Sequence, residues 1–214
     1  MRGFLHRQRR LLLLLALLIT WLSLFSAWSR WITAKPLDVS IALAPAGMID
    51  RKIQIVVPEH YTLAFRFDRT SEPLKHLQIA VGGVASTSAG TPIPIRWSLA
   101  RVSDGRIVAS GEADTRGMHG WSTTFVERDV GGIRVPSGRY RFKAQVLQDI
   151  PGLAHVDTRL VMQLSPKAYC TWQLYLVWWG SIANVLLIGP LAILVLLVLL
   201  WRAARAYHSA RTAS

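Results

Sequence analysis

Between Lys167 and Arg202 the chain carries no formally charged side chain for 34 residues, 168–201. A hydrocarbon layer about 30 Å thick is crossed by roughly 20 apolar helical residues. The segment GSIANVLLIGPLAILVLLVLLW, residues 180–201, holds few polar side chains, chiefly Ser181 and Asn184. A transmembrane helix over 172–201 is therefore predicted. The stretch TWQLYLVWWG ahead of it then reads as an interfacial belt, not as a box that stacks a sugar, a base or a choline-like cation. Trp172, Tyr175, Trp178 and Trp179 would lie at one headgroup level and Trp201 at the other. Trp178 and Trp201 are 23 residues apart, about 34 Å at the helical rise.

The other end of the sequence repeats this pattern. A basic tail, residues 1–10, precedes LLLLLALLITWLSLFSAW, and a first span is expected over 11–33. The basic start suits a signal peptide as well as a retained anchor, and Ala27 and Ser29 form a small-x-small pair. Yet the uncharged run from Leu11 to Ser29 is 19 residues long, and Trp28 and Trp31 give it an interfacial end. A retained helix is the better reading. Arg9 and Arg10 resemble a twin-arginine signal, but so apolar a core suits ordinary insertion, and no cysteine near the leader offers a lipid attachment point.

Arginines sit outside both spans, at Arg2, Arg7, Arg9 and Arg10 and at Arg202, Arg205 and Arg211. Both tails, 1–10 and 202–214, are thereby expected in the cytoplasm, with the central section across the membrane from them. The formal charge of +13 follows in large part from this topology, since 7 of the 25 basic residues lie in the tails and all 12 acidic residues lie between the spans. Nucleic acid is not the partner this implies. The remaining surplus fits lipid headgroups or an acidic partner.

The middle of the chain, 36–168, alternates apolar and polar residues with period two. The series are Ile53, Ile55, Val57; Leu63, Phe65, Phe67; Ile93, Ile95, Trp97, Leu99; Tyr140, Phe142, Ala144, Val146; and Val156, Thr158, Leu160, Met162, Leu164. Half-buried antiparallel strands require this pattern. Ser103, Asp104, Gly105 and Arg106 suit a two-residue hairpin, Pro136, Ser137 and Gly138 mark another turn, and Gly82 and Gly83 read as turn residues. Pro92 and Pro94 suggest an edge strand or a bulge. No long period of 3.6 appears, and an all-β sandwich between two transmembrane α-helices is the expected fold.

VPSGRYRFKAQVL resembles the start of the F strand in immunoglobulin-like and fibronectin-like domains, and that likeness implies that the Tyr140 hydroxyl returns to the backbone. Trp97 in IPIRWSLARV resembles the core tryptophan of a central strand. The layout PIRWSLARVSDGRIVASGE, GWSTTF, PSGRYRF and SPKAYCTWQ running into the second span also resembles a domain-of-unknown-function family of small bacterial membrane proteins. That resemblance implies a bacterial inner-membrane protein whose β domain is exported to the periplasm, and it implies no activity.

No residue set here points to catalysis. Cys170 is the lone cysteine, so no intrachain disulfide forms, and it reads as a small filler. A membrane-anchored cysteine transpeptidase is the outside alternative, but His60, His76, His119 and His155 are scattered without ligand spacing. No metal site and no cofactor is expected. Arg139, Arg141 and Lys143 form a basic ladder along one strand, with Asp157 as its expected cross-strand neutraliser. The candidate partner contact is TRGMHGWSTTFVERD, in which Gly117 and Gly120 loosen a loop displaying Arg116, Met118, His119 and Trp121. Arginine and aromatic side chains are enriched at binding hot spots, while the competing reading turns Trp121 into the core. Within the spans, Gly180, Ser181 and Asn184, with Thr20, Ser23 and Ser26, would pack the helices together or pair the chain with a second copy. Gly189 and Pro190 should bend the second helix. The function expected is a membrane-anchored binding or scaffold protein, an accessory subunit of an envelope complex, with an immunity protein against an exported toxin as the alternative. Its partners are the bilayer and another envelope protein.

Overall fold

The computed structural model describes residues 2–69, 74–82, 90–165, 168 and 170–212. Gly83 and Lys167 lie outside the described residues, as do the ends of both tails. The chain divides into two compact units, Met1–Ile32 with Trp172–Ser214, and Thr33–Thr171.

The first unit is helical. Helix α1 spans Arg2–Ile32. The second apolar segment is α3, Trp172–Ala183, then a π-helical stretch, Asn184–Ile188, then α4, Gly189–Thr212. Two segments, Gln8–Ile32 and Trp172–Ala206, are long and apolar enough to cross a membrane. Both continue as helix into the basic tails, which the sequence had marked off as separate. Leu18 packs with Val195 and Leu199, so α1 and α4 lie side by side. The π stretch explains how Pro190 is tolerated. Proline has no N–H and crowds the carbonyl four residues back, and widening the preceding turn lets the Gly189 N–H reach the Asn184 oxygen.

The second unit is built of two antiparallel sheets. Its strands are β1 Leu37–Ser40, β2 Met48–Ile55, β3 Glu59–Asp68, β4 Ile93–Arg101, β5 Ile107–Thr115, β6 Gly120–Trp121, β7 Phe125–Val135, β8 Gly138–Val146 and β9 Thr158–Leu164. One sheet has the order β1-β9-β3-β7-β6 and the other β2-β8-β4-β5. The alternating series read from the sequence supply the shared core, with Phe65, Phe67, Ile95, Leu99, Phe142 and Leu160 fully buried. Arg51 has the same parity as buried Ile49 and Ile53 but is exposed on the edge strand β2, where an inward-facing charge deters pairing with another sheet.

Tyr140 behaves as its motif implies, its hydroxyl donating to the Pro136 carbonyl at 2.9 Å. A second tyrosine repeats the device: Tyr61 donates to Val57 at 2.8 Å, and burial pushes its pKa up to about 12. Trp97 is buried on β4, between β8 and β5. That placement corrects the reading of Pro92 and Pro94. Strand β4 is central, its register shift falls between Leu99 and Ala100, and Pro94 sits at its second residue, one position before pairing with β8 begins at Ile95. A proline costs no hydrogen bond on a side where the ladder has not started. The β4–β5 hairpin is longer than the expected two-residue turn, closing with Arg101 N–H to Arg106 O at 2.8 Å, and Gly105 takes a φ of 69°. An eight-residue helix, α2 Leu74–Val81, was not foreseen.

Registers fix which strand ends lie together. The chain enters the sandwich at Leu37 and leaves it at Leu164, and at that end also lie the β7–β8 turn, the β4–β5 hairpin and the end of β2. We call this the linker end. Helix α2 and the β5–β6 loop lie at the far end. Replacing Tyr140 by Phe should lower the unfolding free energy by about 1 kcal/mol, measured by denaturant titration. An unchanged midpoint would show that the Pro136 carbonyl finds another donor.

Candidate functional site

The far end is organised by one buried cation. Strand β7 pairs Arg128 with Phe65, so its side chain points inward, and it is 0% exposed. Among the described residues no carboxylate pairs with it. Its guanidinium donates instead to the backbone carbonyls of Thr91 at 2.7 Å, Thr115 at 3.1 Å and Val81. Those oxygens belong to the residue ending β5, the residue ending α2 and the approach to β4. Burial lowers the Arg128 pKa to about 10, opposed by the Asp114 charge, which leaves it protonated at neutral pH. An unpaired buried carbonyl costs on the order of 1–3 kcal/mol. Arg128 satisfies three, and it ties three separate segments together.

The candidate loop hangs from this staple. One residue after Thr115, Arg116 pairs with Asp114 at 3.0 Å and is otherwise exposed. Met118 N–H donates to the Gly82 carbonyl at 2.7 Å, and its side chain packs on the core. His119 Nδ1 lies 3.1 Å from Asp129, whose pKa is raised by burial and pulled back by the imidazole. Trp121 is 65% exposed, which overturns the reading that placed it in the core. Its register partner is buried Val126, so its parity is inward, but β6 is the outermost strand and two residues long, and the indole falls beyond the packed layer. Arg116, His119 and Trp121 are thus held on a loop whose backbone is anchored at both ends, with exposed Ile79 of α2 also at the far end.

The other residues singled out from sequence fall elsewhere. Along β8, Arg141 and Lys143 are met by Asp50 of β2, at 2.7 and 3.8 Å, and not by Asp157. Asp157 lies beside Asp68 at the end of the other sheet. Asp50 has its pKa lowered, chiefly by the Arg141 hydrogen bonds. A shallow depression of about 460 Å³ on the outer face of this sheet is lined by Met48, Ser98, Ser110 and Lys143 beside the Arg96–Glu112 pair, 2.9 Å apart. On the other sheet Arg66 pairs with Glu127, which also takes Gln163 Nε2 at 3.3 Å. Among the described residues no cluster of three His, Cys, Asp or Glu could hold a metal. Cys170 is exposed, not a filler, and its backbone N–H donates at 2.7 Å to buried Glu59.

In the helical unit, Trp172, Tyr175, Trp178, Trp179, Trp201 and Trp31 are exposed, while Trp28 is half-buried against Phe25. Asn184 accepts a hydrogen bond from the Trp21 indole at 3.0 Å. At Gly180 the Phe25 ring of α1 packs against the backbone, since a Cβ there would sit 2.3 Å from Phe25 Cε2. Ser181 does not bridge the helices and bonds back to the Val177 carbonyl at 2.6 Å.

Sequence reasoning missed Arg128, though the alternation that marks Val126 as inward marks it too. Exchanging Arg128 for Met should cost on the order of 3 kcal/mol and speed amide exchange selectively at residues 115–119, read by hydrogen–deuterium exchange. Uniform acceleration across β3 and β9 would contradict the staple.

No curated protein matches the chain. A crystal structure of a protein from Sulfurospirillum deleyianum has the same fold over 61% of this chain and 98% of its own, with a TM-score of 0.51 at 15% identity. Residues 35–164, nearly the whole of the sandwich, match one family, and this chain belongs to it: the Domain of unknown function (DUF5625).

Proposed function

We propose that this chain is a two-span membrane protein whose sandwich binds another protein through its far end, as an accessory or scaffold subunit of a bacterial envelope complex. Both basic tails lie in the cytoplasm and the β domain lies in the periplasm. Two apolar segments with arginines outside each of them support that topology. An immunoglobulin-like assignment of the sandwich is supported by β3–β7 and β8–β4, which correspond to the B–E and F–C pairs in opposed sheets. Tyr140 starts the F-like strand and Trp97 lies on the C-like one. The edges differ from that plan, because β9 lies beside β3 and β2 beside β8.

The observation that carries the binding role is Trp121. A water-facing domain gains nothing for folding from an indole left 65% exposed, and here it stands with Arg116 and His119 on a loop held at Gly82 and Thr115. A preordered aromatic surrenders little entropy on binding, and tryptophan and arginine dominate measured hot spots.

Replacing Trp121 by Ala should cut stoichiometric co-purification of the resident partner at least about tenfold, the equivalent of ~1.4 kcal/mol, with chain abundance and thermal midpoint unchanged. The Arg116, His119 double alanine variant should act likewise. Retention of the partner by both variants would remove this surface from the account.

A further inference from the structure

We infer that the linker end of the sandwich is a docking surface for anionic lipid headgroups, so that the domain rests on the bilayer that carries its own spans. This rests on the two-span reading above. Charge is distributed unevenly along the strands. From the Gly138–Ile55 pair up to the Lys52–Arg141 pair, and over the matching rows of the other sheet, the described residues include six cations, Lys52, Arg101, Arg106, Arg134, Arg139 and Arg141. Three acids share that end, Asp38, which pairs with Lys35 and Arg159, then Asp104 and Glu59. Glu59 is buried and accepts two backbone N–H groups, and Asp104 is taken by Arg101 at 3.4 Å. Arg141 is engaged by Asp50. Among the described residues no carboxylate pairs with Lys52, Arg106, Arg134 or Arg139. Acids gather toward the far end, where Asp68, Glu112, Asp114 and Asp157 lie.

The same end exposes aliphatic surface. Val102 and Ile107 flank the β4–β5 turn, at 45% and 60% exposure. Val102 borders two shallow hollows that also share Arg139, the backbone of the two joined by Val102 N–H to Arg139 O at 3.0 Å. Aliphatic side chains ringed by unpaired guanidinium and ammonium groups suit the interface of an anionic bilayer, where cations meet phosphates and short apolar groups enter the acyl boundary.

Covalent reach identifies the occupant. Residues 33–36 alone separate α1 from β1, and 165–171 separate β9 from α3. Extended, these connections span no more than about 17 and 28 Å. If the helices are in a bilayer, the linker end is the end tethered to it, and the effective concentration of headgroups there is high. A protein partner would have to compete with that surface.

The test uses the full chain with Cys170 changed to Ala, one new cysteine at Val102 or at Trp121, and an environment-sensitive fluorophore on it. Each labelled protein is placed in nanodiscs of phosphatidylcholine, with or without phosphatidylglycerol. With the anionic lipid, the label at 102 should shift to the blue and be quenched several-fold more by a spin-labelled lipid. That response should vanish in the R106E, R139E variant and at high salt, while the label at 121 stays aqueous throughout. Equal emission at 102 in the two lipids, or a response that survives charge reversal, overturns the docking surface. Failure of the chain to co-elute with discs of either composition overturns the two-span reading instead.

Discussion

Water is a poor solvent for the outer surface of the helical unit. Leu17, Leu24, Val185, Leu186, Leu187 and Leu197 are all exposed, and contiguous apolar surface on that scale is not carried by soluble monomers without something to cover it. Polar contacts between the helices include the Trp21–Asn184 hydrogen bond and, at the charged end, Arg202 on Gln8 at 2.9 Å. The sandwich has the opposite requirement. Its outer faces are lined with ion pairs such as Arg141–Asp50 and Arg96–Glu112, which belong in water. One chain therefore demands two solvents, an apolar layer for the helices and water for the sandwich.

Within the sandwich, stability and presentation are separate matters. The shared apolar core and the Tyr140 and Tyr61 corners hold the sheets, while Arg128 holds what the sheets cannot reach. A guanidinium is suited to this task because its donors lie in a fixed planar fork and stay charged. Three backbone carbonyls from distant parts of the sequence converge on it, and the loop bearing Arg116, His119 and Trp121 inherits that rigidity. The two ends of the domain then differ in chemistry. The far end offers an aromatic on an ordered loop, and the linker end offers unpaired cations beside aliphatics.

Much of this was legible in the residues, and the reasons for the failures are physical. Period-two alternation identified the inward residues of β3, β4, β8 and β9, because burial on one face imposes it directly. Tyr140 and Trp97 were visible because their roles are written in local sequence. Partnership across strands was not: Asp50 and Asp157 are both compatible with a basic ladder, and only register shows that β2, not the segment before β9, lies beside β8. Pro94 misled because a proline inside a strand is judged by which side is paired, a tertiary property. Eight residues of α2 give barely two turns of periodicity. Trp121 had inward parity without a core beneath it.

Cys170 offers a built-in reporter for the central claim. It is the chain's single cysteine, it is exposed, and it precedes α3 by one residue beyond Thr171. A membrane-impermeant maleimide applied to intact spheroplasts should label Cys170 fully, whereas a cysteine placed at Ala206 in a Cys170→Ala chain should react only after lysis. Protection of Cys170 until the membrane is broken, or labelling at 206 from outside, would contradict a sandwich held on the far side of the bilayer from both tails.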